Sequence, residues 1–339
     1  MIKRNIPRFN PSKKIFIIAE IGNNHEGNFN IAKKLIKAAA DSGVDAVKFQ
    51  TFITKDFVSS DHPSFERLKK FEFTHQQFLE LQRFANKKNL NFISTPLDFQ
   101  SANFLKKNCK IIKIASGDNN FYDLINIFLN YNKQLVISTG MMNNNTINDL
   151  IKFIKKKSGN KFLKKNLSLL HCISSYPAKD NSLNLMSIKY LSDKYKEINI
   201  GYSDHSVGGD ACITAAALGA KIIEKHFTLS NNFSNFRDHK LSLNPADMKI
   251  MVKKIRKVEV QLGKYEKVIG KTEKKLIPLT RRSMIAKKST NKNQLMTIYN
   301  TSFLRPQHKG SEIKNEILNK KKTMKKLNSK ELIKNKFLF

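Results

Sequence analysis

The sequence predicts an α/β fold: a (β/α)8 barrel of the TIM type, followed by a small, mostly β domain. Three observations carry this reading. Eight short apolar, β-branched runs recur between residues 15 and 227, nearly all spaced for an intervening helix. Their almost continuous hydrophobicity marks strands buried on both faces, as parallel sheets require. After Gly270 the alternation stops, and short apolar pairs alternate with polar, turn-like clusters.

The eight runs are IFIIAEIG (15–22), AVKFQ (46–50), FISTP (92–96), IIKIAS (111–116), QLVISTG (134–140), LSLLHC (167–172), INIGYSD (198–204) and KIIEKHF (221–227). NIAKKLIKAAADSG reads as the helix after the first run, and THQQFLELQRFANKKN as the one after the second. SANFLKKN and YDLINIFLN are short but sufficient crossovers before the fourth and fifth runs. INDLIKFIKKK, LMSIKYLSDKY and GGDACITAAALGA serve the later ones. The last helix is PADMKIMVKKIRKVEVQLG, with Pro245 near its start and Gly263 near its end, the expected asymmetry. A doubly wound sheet would show a Gly-rich phosphate loop after its first strand. Here that turn reads EIGNNHEGNFN, which does not fit. The boundaries follow: a barrel over 1–263, a linker over 264–280 and a small domain over 281–339.

Composition bounds the function. Of 339 residues, 62 are Lys or Arg and 27 are Asp or Glu, a formal charge of +35. Lysine is spread over nearly every helix and loop and travels with Asn and Ile, as in KKNLNF and KNKFLF. This is the mark of AT-rich codon bias rather than of a basic face. A basic nucleic-acid-binding barrel is the alternative from another class, but it calls for clustered cations with interleaved aromatics. No specific nucleic-acid partner is expected, while the charge favours anionic substrates. Cys109, Cys172 and Cys212 are odd in number and lack metal spacing, which suits a reducing compartment. The basic start, MIKRNIPRFNPSKK, precedes an apolar run too short for a signal segment. No run reaches the roughly 18 apolar residues of a membrane helix. A cytoplasmic protein that does not enter the membrane is expected.

Barrels of this type place chemistry at the C-terminal ends of their strands. Those ends carry Glu20; Lys48 with Gln50; Thr95; Lys113 with Ser116; Ser138 with Thr139; and His171 with Ser174 and Tyr176. The last two give Asp204 with His205, and Glu224 with Lys225 and His226. Lysine inside an apolar strand needs a partner. Lys48 and Lys113 either pair with Glu20 or Glu224, or they form, with Ser116, Ser138 and Thr139, a cradle for phosphate or carboxylate. The convergence on one mouth favours the cradle. His205 and His226 end successive strands, ~4.8 Å apart in such a sheet. Neutral imidazoles so placed can share one divalent ion, with Asp204 and Glu224 as plausible orienters of the rings. Two ligands alone leave metal binding open. His171 is expected to point into the mouth, and His62 and His75 to lie on the surface.

The motifs are specific enough to carry a resemblance. IAEIGNNHEGNFNIAKKLIKAAADSGVDAVKFQTF, STPLDFQSANFL, KIASGDNNFYDLI, LVISTGMM, LLHCISSYPA, IGYSDHSVGGDACITAAALGAKIIEKHFTLSN and DHKLSLNP occur in order along the whole barrel. Together they resemble the sialic acid synthases of the NeuB type. The tail, RRSMIAKK…FLRP…EILNKKKTMKKLNSKELI, is similar to the antifreeze-like (SAF) domain that closes such enzymes. The resemblance implies a transferase that condenses phosphoenolpyruvate with an N-acylated mannosamine-type sugar, giving N-acetylneuraminate or a related nonulosonic acid. Synthesis of N,N'-diacetyllegionaminate or pseudaminate is the alternative, and the DHKLS segment looks more like the sialic and legionaminic branches.

The resemblance also implies roles. His205 and His226 match ligands of a divalent metal, Mn²⁺ or Mg²⁺. Lys48, Lys113, Ser116 and Ser138 match positions that bind phosphoenolpyruvate, and Thr95 and Ser174 join the substrate-binding set. Glu20, Gln50, Tyr176 and Asp238 match positions near the sugar. Glu20, Lys113 and His226 are the catalytic candidates. Arg305 resembles the arginine that the SAF domain delivers to a partner's site in a domain-swapped homodimer. Two departures stand out. Ser174 occupies a position where some members carry Asn, and RPQHKGSEI replaces the commoner RPGxGI around Arg305.

Overall fold

The computed structural model describes residues 9–11, 14–129, 131, 133–313 and 316–339. Most of the basic N-terminal stretch read for targeting therefore lies outside the described residues. The chain divides into two compact units, Met1–Gly263 and Lys264–Phe339.

The first unit is a closed parallel barrel. Its strands are β1 (Phe16–Gly22), β2 (Ala46–Thr51), β3 (Asn91–Pro96), β4 (Ile111–Ile114), β5 (Gln134–Ser138), β6 (Leu167–Cys172), β7 (Asn199–Asp204) and β8 (Ile222–His226). Each pairs with the next, and β8 closes onto β1. The predicted runs and the observed strands coincide within a residue or two, because strands buried on both faces leave an unbroken apolar record. Helices cover the outside. In Phe29–Asp41, Ala32, Leu35, Ile36 and Ala39 are buried at helical spacing, and the Asn28 side chain caps the first turn. Pro245–Leu262 begins with its proline under an Asn244 cap and stops at Gly263, whose φ of 56° suits glycine.

Alternation along each strand sorts side chains between two cores. One set packs outward against the helices, among them Ile17, Ala19, Val47, Phe49, Ile112 and Ile137. The other fills the barrel floor: Phe16, Ile18, Ala46, Ile93, Ile111, Val136, Leu170 and Ile222. Each large member of this floor contributes about 1.5–3 kcal/mol by leaving water. The floor also fixes what stands above it, because every inward position one step further along a strand faces the mouth.

One segment breaks the βα rhythm. Between β2 and the helix His75–Lys87, the chain forms two short helices, Thr54–Phe57 and Phe65–Phe71. They are held by Glu72, which accepts from Thr54 N and Thr54 Oγ1 at 2.7 Å each, and by Asp98, which accepts from Ile53 N at 2.8 Å.

The second unit carries a helix, Lys271–Thr280, inside the stretch read as a linker. Beyond it, the antiparallel pair β9 (Ser283–Ala286) and β10 (Thr301–Leu304) is supplemented by isolated bridges. A small core of Met284, Ala286, Met296, Ile317, Leu327 and Ile333 holds it together.

Candidate active site

The inward positions above the floor are almost all polar. Register places Glu20 opposite Lys48 on one side and opposite His226 on the other. With Lys113 and Glu224 they line a cavity of about 450 Å³, which Gln50, Thr95, Ser116, Ser138, Tyr176, His205 and Asp238 also border. Of the residues to which the resemblance assigns roles, two lie outside this lining. Ser174 sits behind Gly140, where an added Cβ would come within 2.3 Å of Ser174 Oγ and 2.5 Å of Ser116 Oγ. Glycine is thus the residue that lets the two hydroxyls converge. Arg305 belongs to the second unit, exposed, just after β10.

Two lysines and two carboxylates form one buried array. Lys48 Nζ lies 2.8 Å from Glu20 Oε2 and 3.7 Å from Glu224 Oε1, and Lys113 Nζ lies 3.2 Å from Glu224 Oε1. The salt-bridge reading of the lysines is therefore realised in this structure. Ser203 Oγ donates to Glu224 Oε1 at 2.8 Å. Burial alone would raise Glu224, but Lys113 and Lys48 outweigh it and hold the carboxyl at about 2. Glu20 is pushed the other way. Burial, aided by the nearby Glu224 charge, wins over Lys48 and brings it to about 7. Polar capacity remains unused, since Glu224 Oε2, Ser138 Oγ, Ser174 Oγ and His226 Nδ1 are buried without a hydrogen-bond partner. Buried polar atoms are nearly always satisfied, so this set has room for a polar ligand.

The two imidazoles stand together at the mouth, ring centroids 5.4 Å apart. Burial lowers both, His226 further because His205 and the lysines add to it, so both are neutral near pH 7. His205 Nδ1 lies 2.8 Å from the Ile173 carbonyl. A ring nitrogen facing a carbonyl carries the proton, which leaves Nε2 with its lone pair. Tyr176 packs on His205 at 4.1 Å. Among the described residues, no group of three or more His, Cys, Asp or Glu has the arrangement of a metal cage. A neutral pair with an oriented tautomer and an orphaned nitrogen nevertheless fits a divalent ion that keeps its other positions for water or substrate.

Four expectations are corrected, three of them by strand parity. Neither Asp204 nor Glu224 bonds an imidazole nitrogen, as an orienter would: Asp204 faces outward to Lys225 at 2.7 Å, and Glu224 belongs to the lysine array. Thr139 also faces away, donating to the Leu170 carbonyl at 3.1 Å, so it is no part of the cradle. His171 lies outside the mouth, its Nε2 2.8 Å from the Leu183 carbonyl. His62 is exposed as expected, yet it borders the cavity.

The sequence reading missed several lining residues. Cys172 and Ser203 project inward from β6 and β7 and could have been found by counting alternate positions from Leu170 and Gly201. The outer wall comes from the two short helices after β2 and from the segment before Asp238. Arg67 lies over the Phe236 ring at 5.7 Å, and Arg237 over the Tyr176 ring at 4.9 Å. No periodicity announces that wall.

Comparison with known proteins bears on this geometry. The NeuB family matches residues 35–267. The N,N'-diacetyllegionaminic acid synthase of Campylobacter jejuni is 38% identical over 309 residues, spanning 87% of this chain and 91% of that protein. The human N-acetylneuraminate-9-phosphate synthase is 32% identical over 297 residues, spanning 84% and 81%. Among solved structures, the N-acetylneuraminic acid synthetase of Leptospira borgpetersenii superposes with a TM-score of 0.73 at 34% identity, over 78% of this chain and 90% of that one.

Proposed function

The chain belongs to the NeuB family, and on that premise we propose that it condenses phosphoenolpyruvate with an N-acylated mannosamine-type sugar, releasing a nonulosonic acid and phosphate. The observation that carries the reading is the single cavity in which Lys48, Lys113, Glu20 and Glu224 lie beneath the neutral pair His205 and His226.

Carbon 3 of phosphoenolpyruvate forms the new bond to the sugar's aldehyde carbon. Positive charge then develops at carbon 2, water adds there, and phosphate departs with the bridging oxygen. Lys48 and Lys113 hold the anionic groups of phosphoenolpyruvate, exchanging part of their pairing with the two carboxylates for charge-assisted bonds to it. Ser116, Ser138, Ser174 and Thr95 supply hydroxyl donors, two of them unpartnered in the structure. Glu20, at about 7, carries either charge near neutrality. Its carboxylate opposes the developing positive centre and accepts a proton from the water that adds to it. His205 and His226 would hold a divalent ion, Mn²⁺ or Mg²⁺, which would supply Lewis-acid polarisation of the aldehyde when bound. Gln50, Tyr176 and Asp238 orient the sugar.

A diacetamido-trideoxy sugar is the second reading of the acceptor, favoured by the higher identity to the legionaminic acid synthase than to the human enzyme. The second unit is read as an SAF domain that carries Arg305 to the barrel of a partner in a homodimer. Exposed Val268, Leu276 and Leu279 supply apolar surface for such an interface. Three free, buried cysteines suit the cytoplasm, and no helix among the described residues is long and apolar enough to cross a membrane.

The test is phosphate release from phosphoenolpyruvate, with a panel of N-acylated hexosamines as acceptors. Turnover should require both substrates, stop on chelation and return with Mn²⁺. Phosphate release indifferent to every acceptor rejects the condensation, and full turnover by metal-free protein rejects the metal.

A further inference from the structure

Outside the barrel wall lies a second ion pair that takes no part in the chemistry above. Lys225 Nζ is 2.7 Å from Asp204 Oδ2, and both side chains are fully shielded from solvent. The two residues are register partners on β7 and β8, at positions that face the helices rather than the cavity. An ion pair this deeply buried is a poor source of stability, because desolvation offsets most of the attraction. Its other bonds show what it holds.

Asp204 Oδ1 accepts from Tyr202 OH and from the backbone N–H of Ser206, each at 2.9 Å. Lys225 Nζ donates to the backbone carbonyl of Ser206 at 2.5 Å. Both backbone polar groups of Ser206 are thus gripped by the same pair. His205 is the residue spanned by that grip, and His226 directly follows Lys225. The two imidazoles are otherwise held very differently. His226 ends β8 and is fixed by its register with Glu20. His205 lies one residue beyond β7, where the β7–β8 ladder has stopped. There the Ala178 N–H holds its carbonyl at 2.9 Å, and the Ile173 carbonyl holds its ring. Neither of those contacts ties it to β8.

We propose that Asp204 and Lys225 are positioning residues that set the separation of His205 from His226, so that the two rings are prearranged for one divalent ion. The pair acts across the barrel wall, substituting for the ladder bonds that His205 lacks. This inference rests on the metal reading above. A ligand pair held in place before the ion arrives binds it more tightly than one that must be ordered by it.

The experiment titrates Mn²⁺ into metal-free protein and follows the loss of the free-ion electron paramagnetic resonance signal. Removing one partner alone would leave a buried charge unpaired, so the variant is the neutral double substitution Asp204→Asn with Lys225→Met. Its Mn²⁺ dissociation constant should rise at least tenfold. Phosphoenolpyruvate binding without metal should stay within twofold, since Lys48 and Lys113 stand on other strands. A folded double variant whose Mn²⁺ constant lies within threefold of wild type overturns the inference and leaves the metal reading intact. Wild-type protein that binds no Mn²⁺ overturns both. Should the double variant fail to fold, Tyr202→Phe removes a single hydroxyl from Asp204 and keeps the ring. It should weaken Mn²⁺ by about threefold, less than the full worth of one hydrogen bond to a carboxylate because it acts only through its partner, and unchanged binding overturns the inference.

Discussion

Replacing Lys113 by methionine separates two jobs that the same ammonium group performs. Lys113 Nζ and Lys48 Nζ lie 3.2 Å and 3.7 Å from one oxygen of Glu224, all of them buried. Removing one partner of a buried pair costs about 3–5 kcal/mol when the remaining charge is left alone. Here Lys48 and the Ser203 hydroxyl stay beside Glu224, so the cost belongs at the lower end, about 3 kcal/mol. For a unit of this size each kcal/mol is worth about 2–4 °C, which makes the expected fall in Tm about 6–12 °C at pH 7.

The penalty should depend on pH in a definite direction. In the wild type Glu224 is held at about 2, so its contribution is complete above the ordinary carboxylate range and is lost only on strong acidification. Without Lys113, the pKa of Glu224 rises from that low value, because only Lys48 and Ser203 are left to oppose its burial. The destabilisation is then full above the raised pKa and fades as the pH falls through it and the carboxyl takes a proton. The gap between wild type and variant should therefore be wider at pH 7 than at pH 3. Adding Glu224→Gln should recover most of the lost stability at pH 7. It should not recover the phosphoenolpyruvate response, because a charge-assisted bond of about 1.5–3 kcal/mol is still missing, a weakening of about ten- to a hundredfold. Thermal unfolding at the two pH values and a phosphoenolpyruvate titration of both variants provide the measurements. A double variant restored in stability and normal in ligand response would show that Lys113 is purely structural. An unchanged Tm in the single variant would refute the ion-pair argument itself.

Three further outcomes are expected. Because burial raises Glu20 to about 7, the folded protein binds the extra proton between the unfolded value and pH 7, and stability falls as the pH rises through that window. Glu20→Gln should flatten this part of the stability curve, and an unaltered slope contradicts the assignment. In labelled water, the label should enter the sugar acid and not the phosphate; labelled phosphate means that the P–O bond breaks. Finally, Arg305→Ala and His226→Ala should each be inactive as homodimers, while reassembled hybrids regain up to about half the activity per dimer, as two equivalent sites dictate. Verified hybrids that stay inactive exclude an Arg305 reaching across the dimer.

The barrel was legible because its strands are buried on both faces, so IFIIAEIG or QLVISTG needs no tertiary context to be recognised. The charged array was legible for a related reason: lysine in AVKFQ and IIKIAS is out of place unless it serves a partner or a ligand. Reading every polar strand end as part of the site went too far. Asp204, Lys225, Thr139 and His171 sit at odd steps from the floor residues and face the helices, whereas Cys172 and Ser203 sit at even steps and face the cavity. The outer wall resisted for another reason. Helices of four and seven residues carry no usable period, and theirs are set by Glu72 and Asp98, residues that follow them or sit on another loop.

The apolar floor of the barrel has a consequence for traffic. Phe16, Ile18, Ile93, Ile111, Val136, Leu170 and Ile222 close the chamber from below, so ligands enter from the side of the strand ends. Lys113 lies deep, only 3% exposed, whereas Tyr176 stands nearer the entrance, 38% exposed. In such a room the order of occupation follows depth. A ligand seated at the lysines is expected to arrive before one seated at Tyr176 and Asp238. If phosphoenolpyruvate is the inner guest, the sugar closes the door behind it. Commitment to reaction then requires no moving lid, only a second substrate large enough to fill the threshold.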